Sequence, residues 1–421
     1  MGQLKTCISD LAIMGGAPAF QEQLFVGRPH IPNRERLLQR INDVLDSGRL
    51  TNCGPFVREL ERRVAEQLGV KHCIATCNGT VALQIAIRAL QLSGEVIIPS
   101  FTFVATAHAL QWQGITPVFC DVDPDTHAID PCSLEKMITS RTTGVLAVHL
   151  WGNPCDIERI SEITERHRLK LMFDAAHAFG CSYKGRMIGN FGNAEVFSFH
   201  ATKFLNTFEG GAVVTNDDSL AAQVRLMTNF GLSGDSVECI GTNGKMNEVS
   251  AAMGITGLET LDEVRAVNLR CYEQYERELK NIPGVKLLAF NQKEQCNYQY
   301  IVLEIDRAET QVSRDRLIHI LRMENVMVRR YFHPGCHQLE PYRTFYPHAG
   351  TFLMETEKLA ERVLCLPTGS AVTSEDITAI CQILTLVLKH AKELSPSIPR
   401  EETFLVEQTP PSLLPSLGAA V

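Results

Sequence analysis

Phe173-Asp174-Ala175-Ala176-His177 and, further on, Ser198-Phe199-His200-Ala201-Thr202-Lys203 are the stretches whose reading decides the fold of this 421-residue chain. The first closes an apolar run, Leu171-Met172-Phe173, and the second grows out of Val196-Phe197-Ser198-Phe199. Both runs have the length and composition of strands buried on both faces. In open sheets of such strands, ligands bind at the carboxyl ends. Asp174 stands at one such end and Lys203 just beyond another.

Working outward, the same texture continues in both directions. Short apolar runs occur at 72–76, 95–98, 117–120, 144–149, 169–173, 195–199 and 211–215. Helical patterns lie between several of them, at 80–92, 103–112 and 156–167. Strands alternating with helices predict βαβ units and a mostly parallel sheet. From Thr80 to Leu92 the polar residues Gln84, Arg88 and Gln91 form one narrow stripe, which predicts a helix buried on most of its circumference. Two amphipathic helices are expected near 34–47 and 56–68, split by the turn Asn52-Cys53-Gly54-Pro55.

After Gly254 the pattern changes. A long charged helix is expected over 256–281, stopped by Pro283-Gly284. Strands near 285–289, 298–304 and 326–329 and helices near 312–323 and 373–391 follow. The expected organisation is an arm over 1–30, a large α/β domain over 31–255, a smaller α+β domain over 256–394 and a proline-rich disordered tail over 395–421.

Composition excludes several classes. Hydrophobic residues make up 45% and charged residues 21%, as in a soluble globular protein. A net charge of −8 argues against a nucleic-acid partner. No run is long enough for a membrane span, and the start lacks the pattern of a secretory signal. The 14 cysteines include no C-x-x-C pair, so reduced thiols in a cytoplasmic protein are expected. The myristoylation-like Met1-Gly2 start and the sequon Asn78-Gly79-Thr80 are short chance matches. His333 and His337 have helical metal-pair spacing, but Pro334 and Gly335 break the helix, and no metal is expected.

The chemistry rests on Asp174 and Lys203 together. Alone, Asp174 reads as an N-cap. Lys203 comes 29 residues later and is flanked by Phe204, Leu205 and Phe208 rather than by solvated neighbours. It precedes Gly210-Gly211, where the chain must pass something closely. A lysine amine that can condense with an aldehyde, plus an acid for a ring nitrogen, fits pyridoxal 5'-phosphate (PLP). A phosphate cradle is also present. Gly79 and Thr80 follow the strand 72–76 and open a helix whose first N–H groups are free, and Ser198 adds a hydroxyl. Phe103, just after the strand 95–98, is placed to stack on a ring, although a lone Phe reads first as core.

These residues fall in blocks that resemble the DegT/StrS group of nucleotide-sugar aminotransferases. The blocks are Gly79-Thr80-Val81-Ala82-Leu83, Pro99 through Thr106, Phe119 through Pro124, Val148-His149-Leu150-Trp151-Gly152, Asp174 through His177, Ser198 through Lys203 with Glu209-Gly210-Gly211, and Gly241 through Glu248. The resemblance spans roughly residues 25–392. It implies the type I PLP-dependent transferase fold, with Lys203 as the Schiff-base lysine and Asp174 on the pyridinium nitrogen. It implies that His177 lies near the cofactor's 3-oxygen, that Gly79, Thr80 and Ser198 hold the phosphate, and that Phe103 stacks on the ring. Asn243 is implied to reach the phosphate of a second subunit in a homodimer. The implied reaction is amination of a nucleotide-linked keto-deoxyhexose with glutamate as donor, and Arg329 through His337 resembles members that aminate carbon 4. One departure is Lys245, where the group commonly has Arg, which loses any bidentate contact. A 3-aminotransferase, a PLP-dependent sugar dehydratase and a PLP-bound regulator are the competing readings. In the dehydratases a His replaces the lysine, and here that position is Lys203.

Overall fold

A computed structural model of the protein describes residues 2–394. The expected tail over 395–421 lies outside them. Seven strands form the central sheet: β1 (His72–Thr76), β2 (Glu95–Pro99), β3 (Thr116–Cys120), β4 (Thr142–Val148), β5 (Lys170–Asp174), β6 (Ala194–Ser198) and β7 (Gly211–Thr215). Their order is β1-β7-β6-β5-β4-β2-β3. All neighbours run parallel except at β7, which is antiparallel to both β1 and β6.

Side-chain alternation splits the sheet's apolar residues between two cores. Ile74, Val96, Ile98, Leu146, Met172, Val196 and Val213 pack on one face against the helices Gly79–Ala89 and Asp218–Thr228. Ala75, Ile97, Val145, Ala147, Phe173, Phe197 and Val214 belong to the other core, with the helices Pro55–Leu68 and Ile157–Arg166. Burial on both faces explains why these strands read as continuous apolar runs. The helix Gly79–Ala89 is buried at Ala82, Leu83, Ile85, Ala86, Ile87 and Ala89, as its narrow polar stripe predicts.

The C-terminal unit is a three-stranded antiparallel sheet, β8 (Val285–Leu287), β9 (Ile301–Ile305) and β10 (Val363–Leu366). The helices Leu261–Leu279, Arg314–Met323 and Ser374–Lys389 accompany it. β10 and the helix Met354–Arg362 before it went unread in the sequence. Val326–Met327 does not join this sheet. It pairs in parallel with Leu24–Phe25 of the arm.

The helix expected over 256–281 is two helices. Glu248–Leu258 ends at Glu259, and Leu261–Leu279 starts after Thr260, whose amide and hydroxyl both donate to the Gly257 carbonyl at 3.1 Å. The first helix is buried from Ser250 to Thr256, whereas the second carries the chain towards β8. Glu259 is held between them by Arg36, Arg40 and Arg63. Continuous helical propensity yields here to the change of direction.

The arm is anchored by one carboxylate. Glu324 accepts from the Ala12 amide at 2.6 Å and the Ala19 amide at 2.7 Å, and faces the Lys5 ammonium at 3.5 Å, with both side chains buried. Leu11 and Phe20 enter the core beside it. Glu324→Ala removes the acceptor of both amides and the counter-charge of the Lys5 ammonium, which keeps only the Asp10 and Ala17 carbonyls, at an expected cost of about 3–5 kcal/mol. The check is thermal unfolding together with limited proteolysis. The midpoint should fall, and cleavage should begin within residues 2–25.

Candidate active site

The carboxyl ends of β4, β5 and β6 and the start of β7 meet at one edge of the sheet. Asp174 is level with Val148 and Val196, and Gly211 with Ser198 and Thr76. A cavity of about 300 Å³ opens there. Its wall includes Gly79, Thr80, Phe103, Asp174, His177, Ser198 and Lys203. The structure therefore brings together seven of the eight expected site residues.

Asp174 is buried. Its Oδ1 accepts from the Ala176 amide at 3.1 Å and its Oδ2 from the Thr106 hydroxyl at 2.9 Å. Burial pushes the Asp174 carboxyl above its ordinary range, opposed by those two bonds and by Lys203. A carboxylate in this setting gains from a cationic partner, and a protonated ring nitrogen is one. Thr106 had no sequence signal of its own, since a threonine in a helix turn reads as packing.

Lys203 leans into the cavity, and its Nζ donates to the Tyr300 hydroxyl at 3.3 Å. Loss of water around the amine lowers its pKa to about 8, with Asp174 pulling the other way. The neutral amine, which a nucleophile and proton acceptor must be, is thus reached far more easily than for a solvated lysine.

His177 is fixed by its neighbours. The Trp151 amide donates to His177 Nδ1 at 3.2 Å, and the rings of Trp151 and His177 stack with centroids 5.9 Å apart. Burial holds the imidazole well below its ordinary pKa, and Lys203 adds to that. The neutral ring with its Nδ1 occupied as an acceptor carries its proton on Nε2, which makes Nε2 a hydrogen-bond donor. Trp151 itself is buried with φ 62°, a left-handed conformation that turns its amide to His177.

The phosphate cradle is a matter of close approach. The Asn78 side chain caps the Val81 amide at 2.8 Å, and the Gly79 and Thr80 amides have no acceptor among the described residues. A Cβ on Gly79 would lie 3.0 Å from the Ser198 Cβ, and one on Gly211 would lie 2.7 Å from the Gly79 nitrogen. Two backbones and the Ser198 hydroxyl therefore converge at a helix N-terminus, which suits a phosphate. Phe103 is 59% exposed on the cavity wall, so the core-packing reading fails.

Asn243 is the eighth expected residue, and it lies apart. It is exposed, bridges Asn229 and does not line the cavity. It does not cap the following helix, because Asn247 fills that role through the Ser250 amide at 2.8 Å. Lys245 bonds Asn229 Oδ1 at 2.7 Å and lies over the Phe230 ring at 4.7 Å. Arg329 and Tyr331 complete the wall from the C-terminal unit. His333 and His337 take different partners, Ala360 O at 3.2 Å and Ser100 Oγ at 2.8 Å.

Residues 32–385 match the family model described as the DegT/DnrJ/EryC1/StrS aminotransferase family. The chain belongs to that family. This aminotransferase is 35% identical over 356 residues to a dTDP-4-amino-4,6-dideoxy-D-glucose transaminase of Shigella dysenteriae, covering 84% of the chain and 96% of that protein. It is 34% identical over 381 residues to a GDP-perosamine synthase of Caulobacter vibrioides, covering 87% and 98%. The solved structure of DesI in the presence of its TDP-sugar product superposes with a TM-score of 0.89 at 48% identity, covering 93% of this chain and 99% of that one. The expected type I fold and PLP dependence stand. The residues described above fit that cofactor: an amine for the aldehyde, a buried acid for the ring nitrogen and a backbone cradle for the phosphate.

The state of Lys203 has a measurable consequence. Only the neutral amine attacks an aldehyde, so the rate of covalent PLP attachment to the apoenzyme should climb with pH through about 8 and level off above it. Absorbance after rapid mixing follows the attachment, and borohydride reduction with peptide mapping should place the cofactor on Lys203.

Proposed function

We propose that this aminotransferase converts a nucleotide-linked 4-keto-6-deoxyhexose to its 4-amino sugar, with glutamate as the amino donor, in amino-sugar and polysaccharide biosynthesis. The observation that carries the reading is Lys203. An amine with a lowered pKa, rather than an imidazole, shares the cavity with Asp174, which favours amino transfer over dehydration. The carbon-4 assignment is supported by the relatives, a dTDP-4-amino-4,6-dideoxy-D-glucose transaminase and a GDP-perosamine synthase.

PLP, when bound, supplies an electron sink for the negative charge left on carbon as a proton departs. The protein's own groups do the rest. With PLP bound, Lys203 Nζ would take the proton from the donor's carbon and hand it to the cofactor carbon that receives the amino group, acting as base and then acid. Asp174, steadied by Thr106 and the Ala176 amide, keeps a ring nitrogen protonated and so deepens the sink. His177 Nε2–H offers a neutral donor to an oxygen beside it. The Gly79 and Thr80 amides and the Ser198 hydroxyl would hold the phosphate, and Phe103 would pack on the ring.

We further read the active unit as a homodimer in which Asn243 serves the partner's phosphate. Its exposure outside its own cavity supports this, as do the exposed apolar side chains near it, Phe230, Val237 and Ile240. Fourteen free cysteines, nine of them buried, suit a cytoplasmic enzyme.

Three experiments test the reading. A panel of dTDP-, UDP- and GDP-linked 3-keto and 4-keto sugars, assayed for glutamate-dependent amination, should give turnover on 4-keto sugars. Turnover on 3-keto sugars alone would sink the carbon assignment. Asp174→Asn should retain PLP and lose roughly 100-fold to 1000-fold in turnover, because an amide cannot hold the ring nitrogen protonated. Mixing Lys203→Ala with Asn243→Asp under subunit exchange should restore partial activity, since one pocket of each mixed dimer is then native. Exchange without recovery would place the two residues in one pocket.

A further inference from the structure

Tyr300 immediately precedes β9 and is the point at which the C-terminal unit touches the lysine. Its hydroxyl lies 3.3 Å from Lys203 Nζ, and that amine lies 6.0 Å from the ring centroid. Among the described residues neither the amine nor the hydroxyl makes another hydrogen bond. The ring is buried and held on three sides, with centroids 4.5 Å from His177, 5.4 Å from Trp151 and 6.2 Å from Tyr331. Because the Trp151 amide also fixes His177, the hydroxyl has a set position rather than a range of rotamers.

We propose that Tyr300 is a positioning residue for Lys203. Its hydroxyl holds the amine at one place in the cavity, so that the amine would take a proton from the donor's carbon and hand it to the neighbouring cofactor carbon on the same face. The inference rests on the reading of Lys203 as the reacting lysine. The hydroxyl suits both halves of the transfer. Burial pushes its phenol far above the ordinary range, so it stays neutral. It donates to the lone pair of the neutral amine and accepts from the ammonium once the proton has moved. Holding a reacting group in a near-attack geometry is worth a large factor, and about 1 Å of misplacement costs about 100-fold. The other charged or titratable groups around the amine are Asp174 at the end of β5, His177 after it, His200 with Glu209 on the lysine loop, and Arg329 and Tyr331 from the C-terminal unit.

Tyr300→Phe keeps the ring and removes the hydroxyl. In the apoenzyme, trace labelling of amines with acetic anhydride across pH reports the Lys203 midpoint. It should fall from about 8 by about one unit, because the ammonium loses its acceptor. In the loaded enzyme, single-turnover reaction with α-deuterated glutamate should slow by about 10-fold to 100-fold, with a larger deuterium effect and an unchanged thermal midpoint. Borohydride reduction is run on the parent and the variant. Label on another peptide in the parent overturns the reading of Lys203 and this proposal with it. Label on Lys203 with an unmoved amine midpoint and an unchanged isotope effect overturns the role of Tyr300 alone. If Tyr300→Phe does not fold, 3-fluorotyrosine at position 300 preserves the shape and weakens the acceptor. A smaller downward shift then supports the proposal, and no shift refutes it.

Discussion

Asp174 is a carboxylate taken out of water with only neutral partners bonded to it, an amide and a hydroxyl. Left so, its ionised form is costly, and burial drives it towards protonation. The site is built around what relieves that cost. Lys203 supplies a positive charge nearby but is itself dried out and drawn towards neutrality. A cationic ring bound there would stabilise the acid and leave the amine free for chemistry. The sheet makes this possible, because parallel strands of nearly equal length bring Asp174, Ser198 and Val148 to one edge.

Much of this was legible in the sequence because buried parallel strands leave a strong mark. Each of the seven strands reads as an apolar run, and Asp174 and Lys203 break the pattern at strand ends, where a polar residue has no packing reason to be. Glycines 79 and 211 were legible as close approaches. Their neighbours were not, since which backbones approach is settled by the antiparallel insertion of β7 between β1 and β6.

What sequence could not show comes from distant segments. Thr106 and Tyr300 look like packing residues, and only the fold sets one on Asp174 and the other on Lys203. Trp151 belongs to the Val148–Gly152 block, but its left-handed backbone and its amide on His177 have no local signal. The split at Glu259 was missed because nothing in its own residues breaks a helix. The charges that arrest it belong to two other helices, Arg34–Ser47 and Pro55–Leu68.

That split has a mechanical meaning. A continuous helix from Glu248 to Leu279 would be a rod tying the sheet to the C-terminal unit, and bending would spread along its length. Instead three guanidinium groups clamp Glu259 on the sheet's side, and Thr260 alone departs from helical geometry beyond it. Any bend between the sheet and the C-terminal unit would be concentrated at that single junction rather than spread along a rod. A small turn there would be magnified along Leu261–Leu279, and the unit at its far end is the one that carries Tyr300, Arg329 and Tyr331 to the cavity.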